Sequence, residues 1–143
     1  MDVYSPAKRS AIMARIRSKG TSPEIRLESL LRSLLGRRRR IDRHQTTLPG
    51  QPDFFVPSLK LAIFLDGCFY HCCPRHGHIP KSNRKYWQPK LARNTKRDKK
   101  TRALLRRRGI AVWRLWEHQL KPSAIERTTA TLERRIRRRV SCY

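Results

Sequence analysis

Two short apolar runs, at residues 60–65 and 110–116, place the tightest limits on how this chain folds. The first is six residues long and the second seven, and both are bounded by turn residues, the first by Pro57-Ser58 and Asp66-Gly67 and the second by Gly109 on its amino side. Runs of this length and composition are typical of strands buried in a sheet. We therefore predict a sheet with residues 60–65 as a central strand.

Four other segments have the composition and boundary signals of helices. The clearest start is Thr21-Ser22-Pro23-Glu24, which offers a hydroxyl cap, a proline for the first turn and a glutamate three residues after the threonine. Gly36 ends that helix. The predicted helices are residues 5–19, 21–35, 82–108 (with a break near Pro89 left open) and 122–139.

The order of these elements indicates the fold class. Residues 39–45 and 53–56 are the remaining strand candidates, so the chain runs helix, helix, strand, strand, strand, helix, strand, helix. Such an order predicts an α/β domain with a mixed central sheet flanked by helices. With 143 residues, we expect a single domain over 1–143, with a basic helical arm at 1–20 and a basic helix at 121–143.

The charge balance indicates the class of partner. Thirty-five Lys and Arg against ten Asp and Glu give a net charge of +25, which is tolerated most easily beside a polyanion. Nucleic acid is the first candidate and an anionic membrane surface the second. No apolar run approaches the ~20 residues of a membrane span, and the first ten residues lack a signal-peptide core. We expect a cytoplasmic, nucleoid-associated protein with no membrane partner.

Acidic residues flank two neighbouring predicted strands. Asp53 enters the strand at 53–56, and Asp66 leaves the strand at 60–65. Two carboxylates brought close together favour a bound divalent cation, and nucleases commonly hold Mg²⁺ in this way. An aspartate after a Pro-Gly turn is also simply a turn residue. His71, within the next loop, suits a general base or acid, a zinc ligand or a plain loop residue, and spacing alone does not separate these.

The loop at 67–80 carries a cluster of cysteines and histidines. Cys68, Cys73 and His76 have the spacing C-x4-C-x2-H, and structural zinc sites require four such ligands. His118, just after the last strand, is the best fourth ligand. The alternatives are Cys72, His71 and His78 as ligands, or reduced cysteines without a metal.

Aromatic residues in the same loop suggest a DNA contact. Phe69 and Tyr70 lie beside His71, where large apolar groups suit wedges that enter and kink DNA. Packing beneath the loop as a small satellite core is the alternative. The basic helix at 82–108 and the arginine-rich tail would add phosphate contacts that carry no sequence information.

Four blocks of residues stand in colinear order over about residues 8–120. They are LPGQPDF at 48–54, IFLDGCFYH at 63–71, PKSN at 80–83 with Tyr86, Trp87, Lys90, Asn94, Arg97 and Asp98, and finally Val112, Leu115, Trp116, Glu117 and His118. Together these blocks resemble the very short patch repair endonucleases. The resemblance implies a restriction-endonuclease-like core, a structural zinc, and Mg²⁺-dependent nicking beside the thymine of a T·G mismatch, the product of 5-methylcytosine deamination.

The resemblance also implies roles for individual residues. Asp53 matches the metal-binding aspartate, His71 the catalytic histidine, and Glu24 a glutamate that supports the active site. The family's second metal contact falls at Leu65 through its backbone carbonyl, and its zinc ligands include the position of His118. The intercalating residues match Phe69, Tyr70 and Trp87.

Two positions depart from the best-known family members, which carry threonine and histidine where this chain has Leu65 and Asp66. Asp66 would restore a carboxylate ligand of the kind that restriction-type nucleases use. Glu24 is explained equally well as a helix cap.

Three functional hypotheses follow. The leading one is a mismatch-nicking hydrolase that acts as a monomer on double-stranded DNA, in company with mismatch-repair proteins. The second is a non-catalytic zinc protein that binds nucleic acid through charge, which would have no need of Asp53, Asp66 and His71. The third is a nuclease of the same fold with structure- or sequence-directed specificity.

Overall fold

A computed structural model describes residues 5–15 and 19–143, except for the side chain of Met13. Within these residues the chain forms two helices, then three strands, then a helix, a strand and a final helix. The helices are α1 (Pro6–Arg15), α2 (Ser22–Leu35), α3 (Arg84–Arg107) and α4 (Ile125–Val140), the strands are β1 (Asp42–Arg43), β2 (Phe54–Val56), β3 (Leu61–Asp66) and β4 (Ala111–Trp116), and 3₁₀ helices cover Pro57–Leu59 and Glu117–Leu120.

The four strands of the described residues form one mixed sheet in the order β1-β2-β3-β4. Strand β2 is antiparallel to both β1 and β3, whereas β3 and β4 are parallel. Parallel neighbours need a crossover connection, and helix α3 lies in the connection between β3 and β4. The predicted mixed α/β sheet is confirmed, and it fits a restriction-endonuclease-like core.

Helices cover both faces of this sheet because its strand residues alternate between two apolar layers. One layer joins β2, β3 and β4 to the buried leucines of α2 and the inner face of α4. The other joins Ala62 of β3 to Leu105 of α3. The fully buried members of the first layer are Leu27, Leu31, Phe54, Val56, Leu59, Leu61, Ile63, Leu120 and Leu132.

Some predicted boundaries differ from the structure. The strand expected at 39–45 narrows to Asp42–Arg43, since His44 adopts a positive φ of 45° that an extended strand excludes. Helix α3 runs unbroken through Pro89. The carbonyl that loses its donor there belongs to Lys85, an exposed residue that water reaches. The C-terminal helix starts at Ile125 rather than at residue 122.

The predicted N-terminal helix is seen at Pro6–Arg15, where the described side chains are exposed. Residues 1–4 and 16–18 of the expected basic arm lie outside the described residues. No helix in the described part of the chain combines the length and apolar composition that crossing a bilayer requires.

Helix α2 begins at the predicted capping box and buries one face. Leu27, Leu31 and Leu35 are buried in the core, and Leu30 and Leu34 pack partly against it. Ile25, expected on the same apolar face, is instead 58% exposed.

This contrast gives a test of the core. Leu31→Ala should lower the free energy of unfolding by about 2–5 kcal/mol, because it removes buried methyl groups and leaves a cavity. Ile25→Ala on the same helix should change it by less than about 0.5 kcal/mol. Urea denaturation followed by circular dichroism measures both, and equal losses from the two variants would contradict the packing described.

Candidate functional site

An open cleft lies where β2 begins and β3 ends, at the same edge of the sheet because the two strands are antiparallel. The turn before β2 and one side of helix α3 form its walls. Residues that line it include Gly50, Asp53, Leu65, Asp66, His71, Arg97, Asp98 and Thr101. Asp53 and His71, the two residues on which the predicted site depends, therefore face one cleft.

Asp53 is held in place by backbone hydrogen bonds from two directions. Its carbonyl accepts from the His44 amide at 3.0 Å, and its Oδ2 accepts from the Leu65 amide at 2.7 Å. Burial raises the pKa of the Asp53 carboxyl from 3.8 to about 6, although the Leu65 hydrogen bond opposes the rise. The negative charges of Glu24 and Asp66 raise this pKa further. Such a carboxylate is stabilised by a cation.

Glu24 and His44 complete a group around Asp53 whose ligand atoms all lie within 4.8 Å of one another. Glu24 Oε2 accepts hydrogen bonds from the amides of Gly20 and Thr21, so the predicted helix-capping role is confirmed. Glu24 Oε1 lies 2.9 Å from His44 Nε2, at an ion-pair distance. The contact lacks hydrogen-bond geometry, and among the described residues this buried oxygen has no hydrogen-bond donor.

His71 belongs to a second group in the same cleft, formed with Asp66 and Asp98. His71 Nδ1 lies 2.7 Å from Asp98 Oδ2 and 3.7 Å from Asp66 Oδ1. A carboxylate that accepts from Nδ1 fixes the ring and leaves Nε2 as the basic nitrogen. The Asp98–His71 pair therefore suits proton transfer.

Arg114 ties this second group together. Its guanidinium forms an ion pair with Asp66 and lies 3.3 Å from Asp98 Oδ2, while its carbon Cζ stacks 4.2 Å from the centre of the Trp116 ring. Asp66 was predicted beside Asp53. It lies close enough to raise the pKa of Asp53, but its direct partner is Arg114. Its role as a metal ligand remains a prediction.

Sequence reasoning assigned no role to His44, Asp98 or Arg114. Asp98 stands in one of the family-like blocks, 27 positions from His71, and nothing in local spacing links the two. Arg114 did leave a signal, since it is a charge within an otherwise apolar strand, where an ionised side chain needs a partner.

The predicted cysteine and histidine ligands do come together. Cys68, Cys73, His76 and His118 offer ligand atoms that all lie within 4.8 Å of one another. The His118 Nδ1 atom is 3.2 Å from Cys68 Sγ and 3.6 Å from Cys73 Sγ. Ligand bonds of about 2.0–2.3 Å in a tetrahedron place donor atoms roughly 3.3–3.8 Å apart, so the spacing fits one metal ion.

The surroundings of Cys68, Cys73, His76 and His118 also suit a metal site. Burial, followed by the charges of His76 and Arg75, lowers the pKa of His118 and favours the neutral imidazole that metals bind. A side chain on Gly77 would sit 2.6 Å from the Cys73 carbonyl, so glycine permits the tight turn from Cys73 to Gly77 that contains His76. Of the alternative ligands, Cys72 and His78 are exposed and lie outside the group of four.

The aromatic residues form a cluster of half-buried rings. The Phe69 ring centre lies 5.1 Å from that of Tyr70 and 5.0 Å from that of Trp87, both edge to face. Tyr86, 49% exposed, extends the cluster against Trp87 at 5.1 Å. The rings therefore contact one another on the outside of the sheet, away from the main core.

Fold and site together define a class: an α/β enzyme that acts on nucleic acid, with acidic residues and a histidine in one cleft of a chain of net charge +25. A family model described as DNA mismatch endonuclease Vsr matches residues 1–76. The chain belongs to this Vsr family, and it is a DNA endonuclease.

Individual relatives agree with this assignment. Type II nicking enzyme V.NaeI of Lentzea aerocolonigenes is 41% identical over 129 residues, which cover 88% of this chain and 77% of that protein. Type II nicking enzyme V.XorIIP of Xanthomonas oryzae pv. oryzae is 42% identical over 122 residues, covering 83% and 86%. DNA mismatch endonuclease Vsr of Escherichia coli strain K12 is 34% identical over 125 residues, covering 84% and 76%.

The raised pKa of Asp53 predicts an unusual effect on stability. The pKa of Asp53 in the folded protein, about 6, lies above the ordinary 3.8. The protonated carboxyl therefore stabilises the folded state fully below pH 3.8, and this contribution is lost as the pH rises through 6. Without added divalent ions, the free energy of unfolding that Asp53→Asn gains over the wild-type protein should therefore be larger at pH 8 than at pH 4, by at most about 3 kcal/mol.

Urea denaturation of both proteins across pH 4–8 measures this difference. The control is Asp42→Asn, on the neighbouring strand β1, where the side chain pairs with Arg40 outside the cleft. The control should show no increase in the free energy of unfolding, relative to the wild type, between pH 4 and pH 8. An Asp53→Asn variant whose advantage does not grow with pH would show that the carboxyl is not destabilised by burial.

Proposed function

We propose that this endonuclease depends on Mg²⁺ and nicks one DNA strand at T·G mismatches in very short patch repair. The observation that carries the proposal is the single cleft shared by Asp53 and His71, with Phe69 and Tyr70 on the same loop as His71. The family membership and the name of the Escherichia coli relative, DNA mismatch endonuclease Vsr, support the mismatch as substrate.

Asp53 and the backbone carbonyl of Leu65 are the proposed Mg²⁺ ligands, with Glu24 beside them. The buried Glu24 Oε1, which has no hydrogen-bond donor among the described residues, and the Asp53 carboxyl with its raised pKa fit a cation at this point. A bound divalent ion there supplies positive charge that stabilises the phosphate as its negative charge increases in the transition state.

His71 is the proposed group that moves the proton. Its Nδ1 is engaged by Asp98, so Nε2 accepts the proton of the attacking water, whose oxygen forms the new bond to phosphorus. One phosphorus–oxygen bond of the backbone breaks, and the leaving oxygen takes a proton from solvent, which leaves a hydroxyl on one side of the nick and a phosphate monoester on the other. Asp66 remains a proposed member of the catalytic group, since its Oδ1 lies 3.7 Å from His71 Nδ1.

The aromatic cluster is the proposed device for finding the mismatch. Phe69, Tyr70 and Trp87 present large rings that can enter between base pairs, where a mismatch lowers the cost of unstacking. Lys90 Nζ lies 5.2 Å from the Trp87 ring centre and places a cation where a phosphate would approach. Intercalating rings together with a phosphate-binding cation would recognise how easily the DNA deforms at the mismatch, more than the edge of any one base.

A structural zinc held by Cys68, Cys73, His76 and His118 is the proposed staple of the loop. It would join the segment that follows β3 to the one that follows β4. Phe69, Tyr70 and His71 all lie between Cys68 and Cys73, so this staple would hold the aromatic pair and the catalytic histidine in position.

The remaining parts of the proposal concern the whole protein. We take residues 1–143 as one endonuclease domain that works as a monomer on mismatched double-stranded DNA, at the nucleoid in the cytoplasm and alongside mismatch-repair proteins. The basic arm at 1–20 and the basic helix at 121–143 would grip the backbone through charge.

A nicking assay tests the activity and the site together. The wild-type protein should cut a T·G duplex in Mg²⁺ and leave a matched duplex intact. Asp53→Ala should slow cutting by about a thousandfold, because a charge-stabilising ion is worth several kcal/mol. His71→Ala should slow it by about 10²–10⁴-fold. DNA affinity, measured by fluorescence anisotropy, should change little in either variant.

Asp42→Ala, outside the cleft, is the control and should cut at the wild-type rate. Undiminished cutting by Asp53→Ala would remove the proposed site. Equal cutting of matched and mismatched duplexes by the wild-type protein would instead establish a nuclease of different specificity.

Metal analysis tests the staple separately. The purified protein should contain about one zinc per chain, and Cys68→Ser should lose it together with thermal stability, because binding of a structural zinc contributes directly to folding. Cys72→Ser, an exposed position in the same loop, should keep the metal. A zinc-free protein that melts at the wild-type temperature would refute the staple.

A further inference from the structure

We propose that Glu24 and His44 join Asp53 and the Leu65 carbonyl as ligands of the proposed ion, and that the three side chains of this Glu24–His44–Asp53 site make it bind ions of the Mn²⁺ and Co²⁺ class more tightly than Mg²⁺. The inference rests on the proposed cation at Asp53 and goes beyond it by adding a nitrogen ligand and a metal preference. His44 lies in no family-like block of the sequence.

The donor atoms have the spacing of a shared ion. One ligand atom from each of Glu24, His44 and Asp53 lies within 4.8 Å of the others, and His44 Nε2 is 2.9 Å from Glu24 Oε1. Donors bound to one octahedral ion at about 2.1 Å lie roughly 3.0 Å apart when adjacent and 4.2 Å apart when opposite. The Glu24–His44 distance is that of adjacent ligands.

A second observation is the buried oxygen of Glu24. Oε2 is occupied by the amides at the start of α2, whereas Oε1 has no hydrogen-bond donor among the described residues. A buried acceptor left in this way costs about 1–3 kcal/mol. His44 stands at 2.9 Å but not at hydrogen-bond angles, so a cation between the two groups satisfies this oxygen better than the imidazole alone.

The backbone conformation and a backbone hydrogen bond fix the position of His44. It has a φ of 45°, in the left-handed region, immediately after β1 ends. Its amide donates to the Asp53 carbonyl at 3.0 Å, which fixes the histidine beside the carboxylate whatever its side chain does. Non-glycine residues keep such a conformation where the surroundings impose it, and these positions cluster at functional sites.

The nitrogen donor determines the metal preference. Mg²⁺ prefers oxygen ligands, and imidazole suits first-row transition ions, whose affinities rise along the Irving–Williams order. A site with two carboxylates and one imidazole therefore accepts Mg²⁺ but favours Mn²⁺ and Co²⁺. The alternative is that His44 serves only as an ion-pair partner for Glu24, in which case no metal–nitrogen bond forms.

Pulsed electron paramagnetic resonance distinguishes His44 as a metal ligand from His44 as an ion-pair partner only. Mn²⁺ is added to the zinc-containing protein without DNA, so that the signal depends on neither turnover nor substrate. Electron spin-echo modulation should show a ¹⁴N coupling in the wild type, replaced by a ¹⁵N pattern in ¹⁵N-labelled protein. His44→Asn is the test variant, because asparagine tolerates a positive φ. It should lose the coupling and bind Mn²⁺ at least about tenfold more weakly.

His71→Gln is the matched control, a histidine that lines the same cleft but lies outside the group of three. It should keep both the nitrogen coupling and the Mn²⁺ affinity. The inference is overturned if the wild-type protein binds no Mn²⁺, binds it without nitrogen coupling, or binds Mg²⁺ more tightly than Mn²⁺. A nitrogen coupling that persists in His44→Asn overturns it as well. Because the nicking assay is separate, a protein that cuts T·G duplexes without this coupling disproves the ligand and not the function.

Discussion

The Asp53 carboxylate lies between two strands, and the rest of the site is arranged around the hydrogen bond that it accepts from the Leu65 amide. That bond joins the start of β2 to the end of β3 and extends the antiparallel pairing of the two strands up to the cleft. It works against burial, which raises the pKa of the same carboxyl to about 6. The protein thus keeps a carboxyl group in a position where its charge is unfavourable until a cation arrives.

Charge is distributed unevenly in this molecule. Glu24, Asp53, Asp66 and Asp98, four of the ten acidic residues, lie in or beside one cleft of a chain with 35 basic residues. The basic surface attracts the DNA backbone over a long range, whereas the acidic cleft would repel a phosphate that came without a cation. Arg114 moderates this repulsion on the His71 side by pairing with two of the carboxylates.

Local patterns explain which parts were predictable from sequence. The apolar run that ends at Asp66 predicted β3, and the capping box at Thr21 predicted the start of α2. Both predictions are correct because each signal consists of residues within a few positions of the element that it specifies. The cysteines and histidines of the predicted cluster do come together, and the sequence indicated this because three of the four residues share one loop.

Other features depend on contacts between distant segments, which local patterns do not record. Asp98 meets His71 only after helix α3 packs against the sheet. His44, which follows β1, meets Glu24 only when β1 lies beside the first turn of α2. The length of β1 was overestimated because a left-handed residue, rather than a glycine, ends it.

The order of the two residue groups along the chain has a further consequence. Glu24, His44 and Asp53 all precede the 3₁₀ helix at Pro57–Leu59, whereas Asp66, His71 and Asp98 all follow it. The side chains proposed to bind the cation and those proposed to move the proton are thereby encoded in separate stretches of sequence, which the pairing of β2 with β3 brings together. Relatives can therefore diverge in the stretch that carries the histidine and its carboxylates while the stretch that carries Glu24, His44 and Asp53 stays unchanged.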